Sequence, residues 1–283
     1  MLPKADLHIH TKHSDGKLTP AEAVELAREK KLSSISITDH DTYTGYFEAR
    51  DEARKWDIEV IPGVEITSNM NELEAHILAY FFDPETAYLQ NFLRRQKKAR
   101  KDRIKGIIQT LNKNGIDVDY DEVWAEANGA NIGRPHLATV LMQKGYVGNF
   151  KEAFIRYLSN KQLGTITNTY PDYREVIEII KNVGGACILA HPGRMYTDPQ
   201  IQQFVDAGID GLECIHPSHN FKLQKKMSDF CERHALLKTG GSDTHAAKGA
   251  GHSQFGTITI ASKHVDSMRR MTEQRKKIVD LKN

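Results

Sequence analysis

The chain has 283 residues, of which 39% are hydrophobic and 27% charged, and a formal charge of +2. That length and balance suit a folded protein with a large core and exclude a disordered chain, while the near-neutral charge names no class of partner. Cys187, Cys214 and Cys231 are an odd number without short-range spacing, which excludes a disulfide framework and leads us to expect a cytoplasmic protein. No apolar run approaches the roughly 20 residues that span a bilayer. With Lys4 and a strand from position 5, we expect no signal peptide.

In chain order, Ala5 to Gly16 reads as a short strand running into a polar loop. Side chains alternate along a strand, so His8 and His10 share a face, and Asp15 follows in the Gly-containing loop. Thr19-Pro20-Ala21-Glu22 is a capping box with proline at the first helical position, and Ala23, Val24, Leu26 and Ala27 continue it as a helix of about twelve residues. Ser34 to Thr38 is a second strand, ending on Asp39-His40-Asp41. A helix over Gly45–Trp56 leads to a third strand, Ile58–Val64, which ends on Glu65. Leu73–Phe82 is a fourth, with His76 among apolar neighbours.

From Thr86 the texture changes. Leu89, Phe92, Leu93, Ile104, Ile107, Ile108 and Leu111 recur at helical steps and predict one long helix ending at Asn114-Gly115. Short helical patterns run from Tyr120 to Leu158, with no strand until after Tyr170. We therefore expect a barrel made of 1–85 and 171–283, interrupted by a helical subdomain at 86–170.

The alternation resumes with a helix over Asp172–Val183 and a strand over Gly185–Ala190, with His191 directly after it. A helix at Ile201–Ala207, a strand at Ile209–Ile215, a helix at Phe221–His234 and a strand at Ala235–Thr239 follow. That last strand opens on Gly240-Gly241-Ser242-Asp243-Thr244-His245. Gly256–Ile260 reads as a final short strand, and the basic tail from Ser262 as a helix.

This α/β alternation predicts a parallel sheet of seven or eight strands, closed or nearly closed into a barrel, with reactive groups at the carboxyl ends of the strands. His8, His10, His40, Glu65, His191, Asp243 and His245 all fall at or just beyond such ends. Histidines and carboxylates gathered there from five strands point to a metal site.

These residues resemble the four motifs of the PHP (polymerase and histidinol phosphatase) superfamily: Asp6-Leu7-His8-Ile9-His10 with Asp15, Thr38-Asp39-His40, His191-Pro192, and Asp243-x-His245, with Glu65 and His76 between them. The resemblance implies a distorted (β/α)7 barrel carrying up to three divalent metals. Within the superfamily, the chain looks most similar to stand-alone phosphatases of 3′,5′-bisphosphorylated nucleotides and to 5′-to-3′ exonucleases of short RNA. By resemblance, His8, His10, Glu65 and Asp243 hold one metal. Glu65, as a bridge, holds the second with His76 and His191, and Asp15, His40 and His245 hold the third. His40, Glu65 and Asp243 are the expected catalytic residues.

Nine ligands exceed what one ion takes, which agrees with several metals. Clustered dications lower the pKa of a bound water from about 15.7 to about 7 and neutralise phosphate oxygens. The mixed nitrogen and oxygen set, without thiolate, suits manganese, iron or zinc. Arg194, three residues after His191, and Arg134, in the helical segment, are expected to grip a substrate phosphate bidentately. His219 is placed with them, and His216 is read as a neighbour of a second phosphate or of a ligand. The expected partner is a small phosphorylated nucleotide or short single-stranded RNA, with no membrane. Another phosphomonoesterase activity, such as on histidinol phosphate, is the competing reading. Arg94 to Lys105 places eight basic residues against one acid; such a run is read first as the solvated face of a helix and second as a track for an RNA backbone.

Overall fold

The structure, a computed structural model, describes residues 3–71, 73–163, 170–193, 195–249 and 254–280. Strand β1 (Lys4–Ile9) is followed by helix α1 (Pro20–Glu29), whose Thr19–Glu22 capping box forms as the sequence predicts. Strand β2 (Ser34–Ile37) and helix α2 (Thr44–Ala53) precede β3 (Glu59–Met70) and β4 (Leu73–Tyr80). The helical segment then contains α3 (Ala87–Lys113), α4 (Tyr120–Ala127), α5 (Arg134–Gln143), α6 (Phe150–Ala153), a π-helical turn (Phe154–Leu158) and α7 (Asn160–Leu163). Helix α8 (Tyr173–Asn182), strand β5 (Ala186–Leu189), helix α9 (Asp198–Asp206), strand β6 (Gly211–Ile215), helix α10 (Phe221–Arg233), strand β7 (Leu237–Gly240), strand β8 (Ile260–Ala261) and helix α11 (Ser262–Asp280) complete the chain.

The strands form one nearly closed barrel in the order β7-β6-β5-β4-β3-β2-β1-β8. The seam closes where the segment after β7 lies beside β1: Ile9 bridges Thr244, and the His10 N–H donates to the Thr244 carbonyl at 3.1 Å. Gly241 sits in that seam, where a Cβ would fall 2.3 Å from the His8 nitrogen, so only glycine lets the strands approach.

The sheet is mixed rather than wholly parallel. β4 runs antiparallel to both β3 and β5, and β8 is antiparallel to β1, while the other pairings are parallel. The cause is local: two positions separate β3 from β4, enough for a hairpin and far too few for a parallel crossover. Residues 59–62 of β3 pair with β2, and residues 63–70 pair with β4. Glu65 therefore lies in mid-strand, not at a strand end as the sequence pattern suggests. The reversal also places His76 near the start of β4, on the rim where the parallel strands end. The expected final strand at Gly256–Ile260 reduces to β8, because Gly256 adopts φ 66° and its N–H caps the Asp6 carboxylate at 3.0 Å.

Apolar residues of β3, β4, β5 and β6 pack with α8, α9 and α10 in the largest core cluster. The helical segment has a separate core, in which Ile104, Ile107, Leu111, Val123, Leu137, Leu141 and Leu158 meet. Helix α3 spans both: Leu89, Phe92 and Leu93 pack on the barrel, and its second half on the helical segment. Its basic run divides accordingly. Arg100 and Arg103 are buried, and Arg94, Arg95, Lys97, Lys98 and Lys105 are exposed. Among the described residues no helix is long and apolar enough to cross a membrane.

Candidate metal centre and anion pocket

At the end of β1 the alternation of side chains brings His8 and His10 together, with their Nε2 atoms 3.1 Å apart and both rings fully buried. One carboxylate oxygen of Glu65 stands 3.4 Å from His8 Nε2, 3.2 Å from His10 Nε2 and 3.2 Å from His40 Nδ1. Its other oxygen stands 3.0 Å from His76 Nδ1 and 3.1 Å from His191 Nε2. Asp243 Oδ1 approaches His8 and His10 at 3.4 and 3.2 Å. Asp15 faces His245 at 3.2 Å, His10 at 3.6 Å and His40 at 3.7 Å. The nine residues singled out in the sequence thus stand in one continuous cluster, with the Glu65 carboxylate between two sets of imidazoles. His191 (φ 31°) and Asp243 (φ 46°) occupy the left-handed region, so the loops that present them are held in conformations their residue types rarely choose.

Donor atoms that face one another without hydrogen bonds fit cations. Asp15 Oδ1, His40 Nδ1 and His76 Nδ1 are buried without a hydrogen-bond partner, although each points at an oppositely charged or polarisable group. Four groupings among the described residues fit an ion: His10, Asp15, His40 and His245; His8, His10 and Asp243; His8, Glu213 and His216; and His40, Glu65 and His76. His8, His10 and His40 each belong to two of them. Burial opposes ionisation of Glu65, yet His40, His76 and His8 hold its carboxyl well below the usual range. Burial likewise opposes Asp15, which His245 and His40 hold low. In return, after burial has pulled the other way, Glu65 pushes His76 up to about 10 and Asp15 pushes His245 up to about 10.

The surrounding shell includes residues that the sequence reading passed over. Glu213 in β6 accepts from His8 Nδ1 at 2.9 Å and from the His191 backbone N–H at 2.8 Å, orienting one ring and one loop. A lone acid in the apolar strand Gly-Leu-Glu-Cys-Ile was the available signal. Asp39 accepts from the Thr11 hydroxyl and the Ser14 hydroxyl, both at 2.6 Å, and so shapes the loop that carries Asp15. Glu74, two residues before His76 on the same face of β4, sits 3.1 Å from His76 Nε2. His216 Nε2 lies 3.1 Å from Asp243 Oδ2, beside the cluster as one of the two expectations for it allowed.

Beside this cluster lies a cavity of about 220 Å³, lined by seven of the nine residues together with Glu74, Arg100, Arg103, Arg134, Pro135 and Phe154. Arg134 is therefore in the pocket, and Arg100 and Arg103 join it from the inward face of α3. Arg100 donates to Asp41 at 2.5 Å and to the Thr67 hydroxyl at 2.7 Å. Arg103 and Arg134 donate to separate oxygens of Glu74 at 2.6 and 2.7 Å. His219 does not line this cavity. It is 3% exposed, its Nδ1 lies 3.0 Å from the Cys214 carbonyl, and its ring sits 5.4 Å from that of His216, tilted by 60°, against Gly193. Arg194 lies outside the described residues.

Residues 6–219 match the PHP domain family. A 5′-3′ exoribonuclease of Haemophilus influenzae is 34% identical over 250 residues, covering 87% of this chain and 91% of that protein. A 3′,5′-nucleoside bisphosphate phosphatase of Chromobacterium violaceum is 29% identical over 260 residues, covering 88% and 91%. Among solved structures, one from Bifidobacterium adolescentis described as a metal-dependent phosphoesterase superposes with a TM-score of 0.80 at 30% identity, covering 94% of this chain and 96% of that one.

Proposed function

We propose a substrate for this chain, which belongs to the PHP domain family and is a metal-dependent phosphoesterase: it removes the 3′-phosphate of nucleoside 3′,5′-bisphosphates and acts on short 5′-phosphorylated RNA. The observation that carries the reading is the position of Arg100, Arg103 and Arg134 on the wall of the cavity that also holds the histidine and carboxylate cluster. The histidine and carboxylate cluster would hold metal ions whose charge would neutralise the reacting phosphate. Three guanidinium groups beside it suit a second anionic group on the same small molecule. Relatives named for a nucleoside bisphosphate and for 5′-3′ RNA cleavage support the same chemistry.

In this reading three divalent ions, manganese, iron or zinc, are held by His8, His10, Glu65 and Asp243, by Glu65, His76 and His191, and by Asp15, His40 and His245. Bound there, they supply Lewis-acid activation of water at neutral pH and neutralise charge on the phosphate. His40, Glu65 and Asp243 are the residues closest to that chemistry, Glu65 through both of its oxygens. Arg134 and Arg194 bind the remote phosphate and use that binding to orient the reacting one. The segment 86–170 supplies the arginine wall and acts as the substrate-recognition part of the molecule. His219 supports His216 from behind. Three free, buried cysteines agree with a cytoplasmic setting.

The test is a panel of phosphate esters assayed with manganese: nucleoside 3′,5′-bisphosphates, nucleoside monophosphates, short 5′-phosphorylated RNA and histidinol phosphate. Fastest phosphate release from the bisphosphates supports the proposal. Fastest release from histidinol phosphate transfers the chain to the small-molecule phosphomonoesterase reading.

A further inference from the structure

The turn between α4 and α5 reaches across to the metal-bearing loops of the barrel. Asn131, 2% exposed, makes two hydrogen bonds there: its backbone N–H donates to the His13 carbonyl at 2.9 Å, and its side-chain amide donates to the His40 carbonyl at 2.7 Å. His13 lies two residues before Asp15. One residue of the helical segment therefore ties together the two loops that present Asp15 and His40. The amide oxygen of Asn131 is buried with no hydrogen-bond partner, so the side chain is held in place by its donor alone and at a desolvation cost.

Neighbouring contacts secure both sides of this bridge. His136 accepts from the Gly133 N–H at 3.1 Å, which fixes the start of α5, and its ring also meets the backbone of Ser14. On the barrel side, Arg100 pairs with Asp41, the residue after His40. The Asp41 N–H in turn donates to the Glu65 carbonyl at 2.9 Å. Asp15 and His40 arrive from two loops, after β1 and after β2, and their carboxylate and imidazole stand 3.7 Å apart.

We infer that Asn131 is a positioning residue for the metal group made by Asp15, His40 and His245, so that the helical segment completes that group as well as lining the pocket. The inference rests on the three-metal reading above. It assigns Asn131 no contact with metal or substrate. The residue acts by holding the two loops in register through their carbonyls, as outer partners of metal ligands do elsewhere.

The experiment titrates metal-free protein with Mn2+ alone and counts the ions bound in each affinity class, for the wild type, Asn131→Ala and the nearly isosteric Asn131→Asp. Thermal unfolding of the metal-free proteins is followed in parallel. We expect three ions in the wild type. In both variants one ion should bind about 10- to 100-fold more weakly while the other two keep their affinity. If Asn131→Ala does not fold, Asn131→Asp, which keeps the shape and removes the donor to His40, decides. Variants that unfold more easily without metal yet bind all three ions with wild-type affinity give Asn131 a purely structural role and overturn the inference. Equal weakening of all three ions overturns it too. A wild type that binds fewer than three ions removes the three-metal reading itself, a result visible before any variant is compared.

Discussion

Glu74 accepts a hydrogen bond from Arg134 at 2.7 Å through the same oxygen that faces His76 Nε2 at 3.1 Å, and its other oxygen accepts from Arg103 at 2.6 Å. One carboxylate thus joins the anion pocket to the histidine cluster. Burial alone would raise its pKa, but Arg134, with His76 and Arg103, holds it well below the usual value.

Replacing Glu74 by Ala leaves two largely buried guanidinium groups without their partner. Breaking a buried pair from one side costs on the order of 3–5 kcal/mol, so the urea midpoint of the metal-free protein should fall substantially. Because the folded pKa lies below the unfolded one, this stabilisation is present above about pH 4.5 and is lost as pH falls through the folded value. The gap between wild type and variant should therefore narrow in acid. A gap that widens in acid, or a variant within about 0.5 kcal/mol of the wild type at neutral pH, contradicts this account of the pair.

Chelation should abolish phosphatase activity and added manganese restore it. In Glu65→Gln the carboxylate that faces five imidazoles loses its charge, so elemental analysis should find more than one ion missing while circular dichroism still reports the fold. Unchanged metal content in this variant would remove Glu65 from the role of bridge.

Gly241→Ala tests the barrel seam. With no room for a Cβ beside the His8 backbone, β1 must shift, and we expect a loss of roughly 1–3 kcal/mol together with weaker metal binding. Lowered stability with wild-type metal affinity would show that the seam does not position His8.

Much of this arrangement is legible in the chain itself. The His8-x-His10 alternation, the Thr19–Glu22 capping box and the periodicity of α3 are local signals, and each produces the local structure that its physics dictates. What escapes is whatever depends on strand direction or on partners distant in sequence. The reversal of β4 escapes because β3 runs on past the expected end at Val64 to Met70, so the short gap to Leu73 that forces a hairpin is not apparent, and the rim position of His76 is hidden with it. Glu74 and Glu213 look like ordinary acids until the fold brings arginines or His8 to them. The basic run hides its division for a related reason: Gln96, Arg100 and Arg103 recur at helical spacing on one face, but only the pocket reveals that this face turns inward.

The central claim is that the arginine wall selects a substrate with a second phosphate. Its most direct test is the ratio of kcat/KM for a nucleoside 3′,5′-bisphosphate to that for the corresponding 3′-monophosphate, measured in the wild type and in Arg134→Ala. We predict a strong preference for the bisphosphate in the wild type, and its collapse by roughly 30- to 1000-fold in the variant, with the monophosphate rate little changed. Equal efficiency on both substrates in the wild type, or an Arg134→Ala variant that slows both alike, would contradict it.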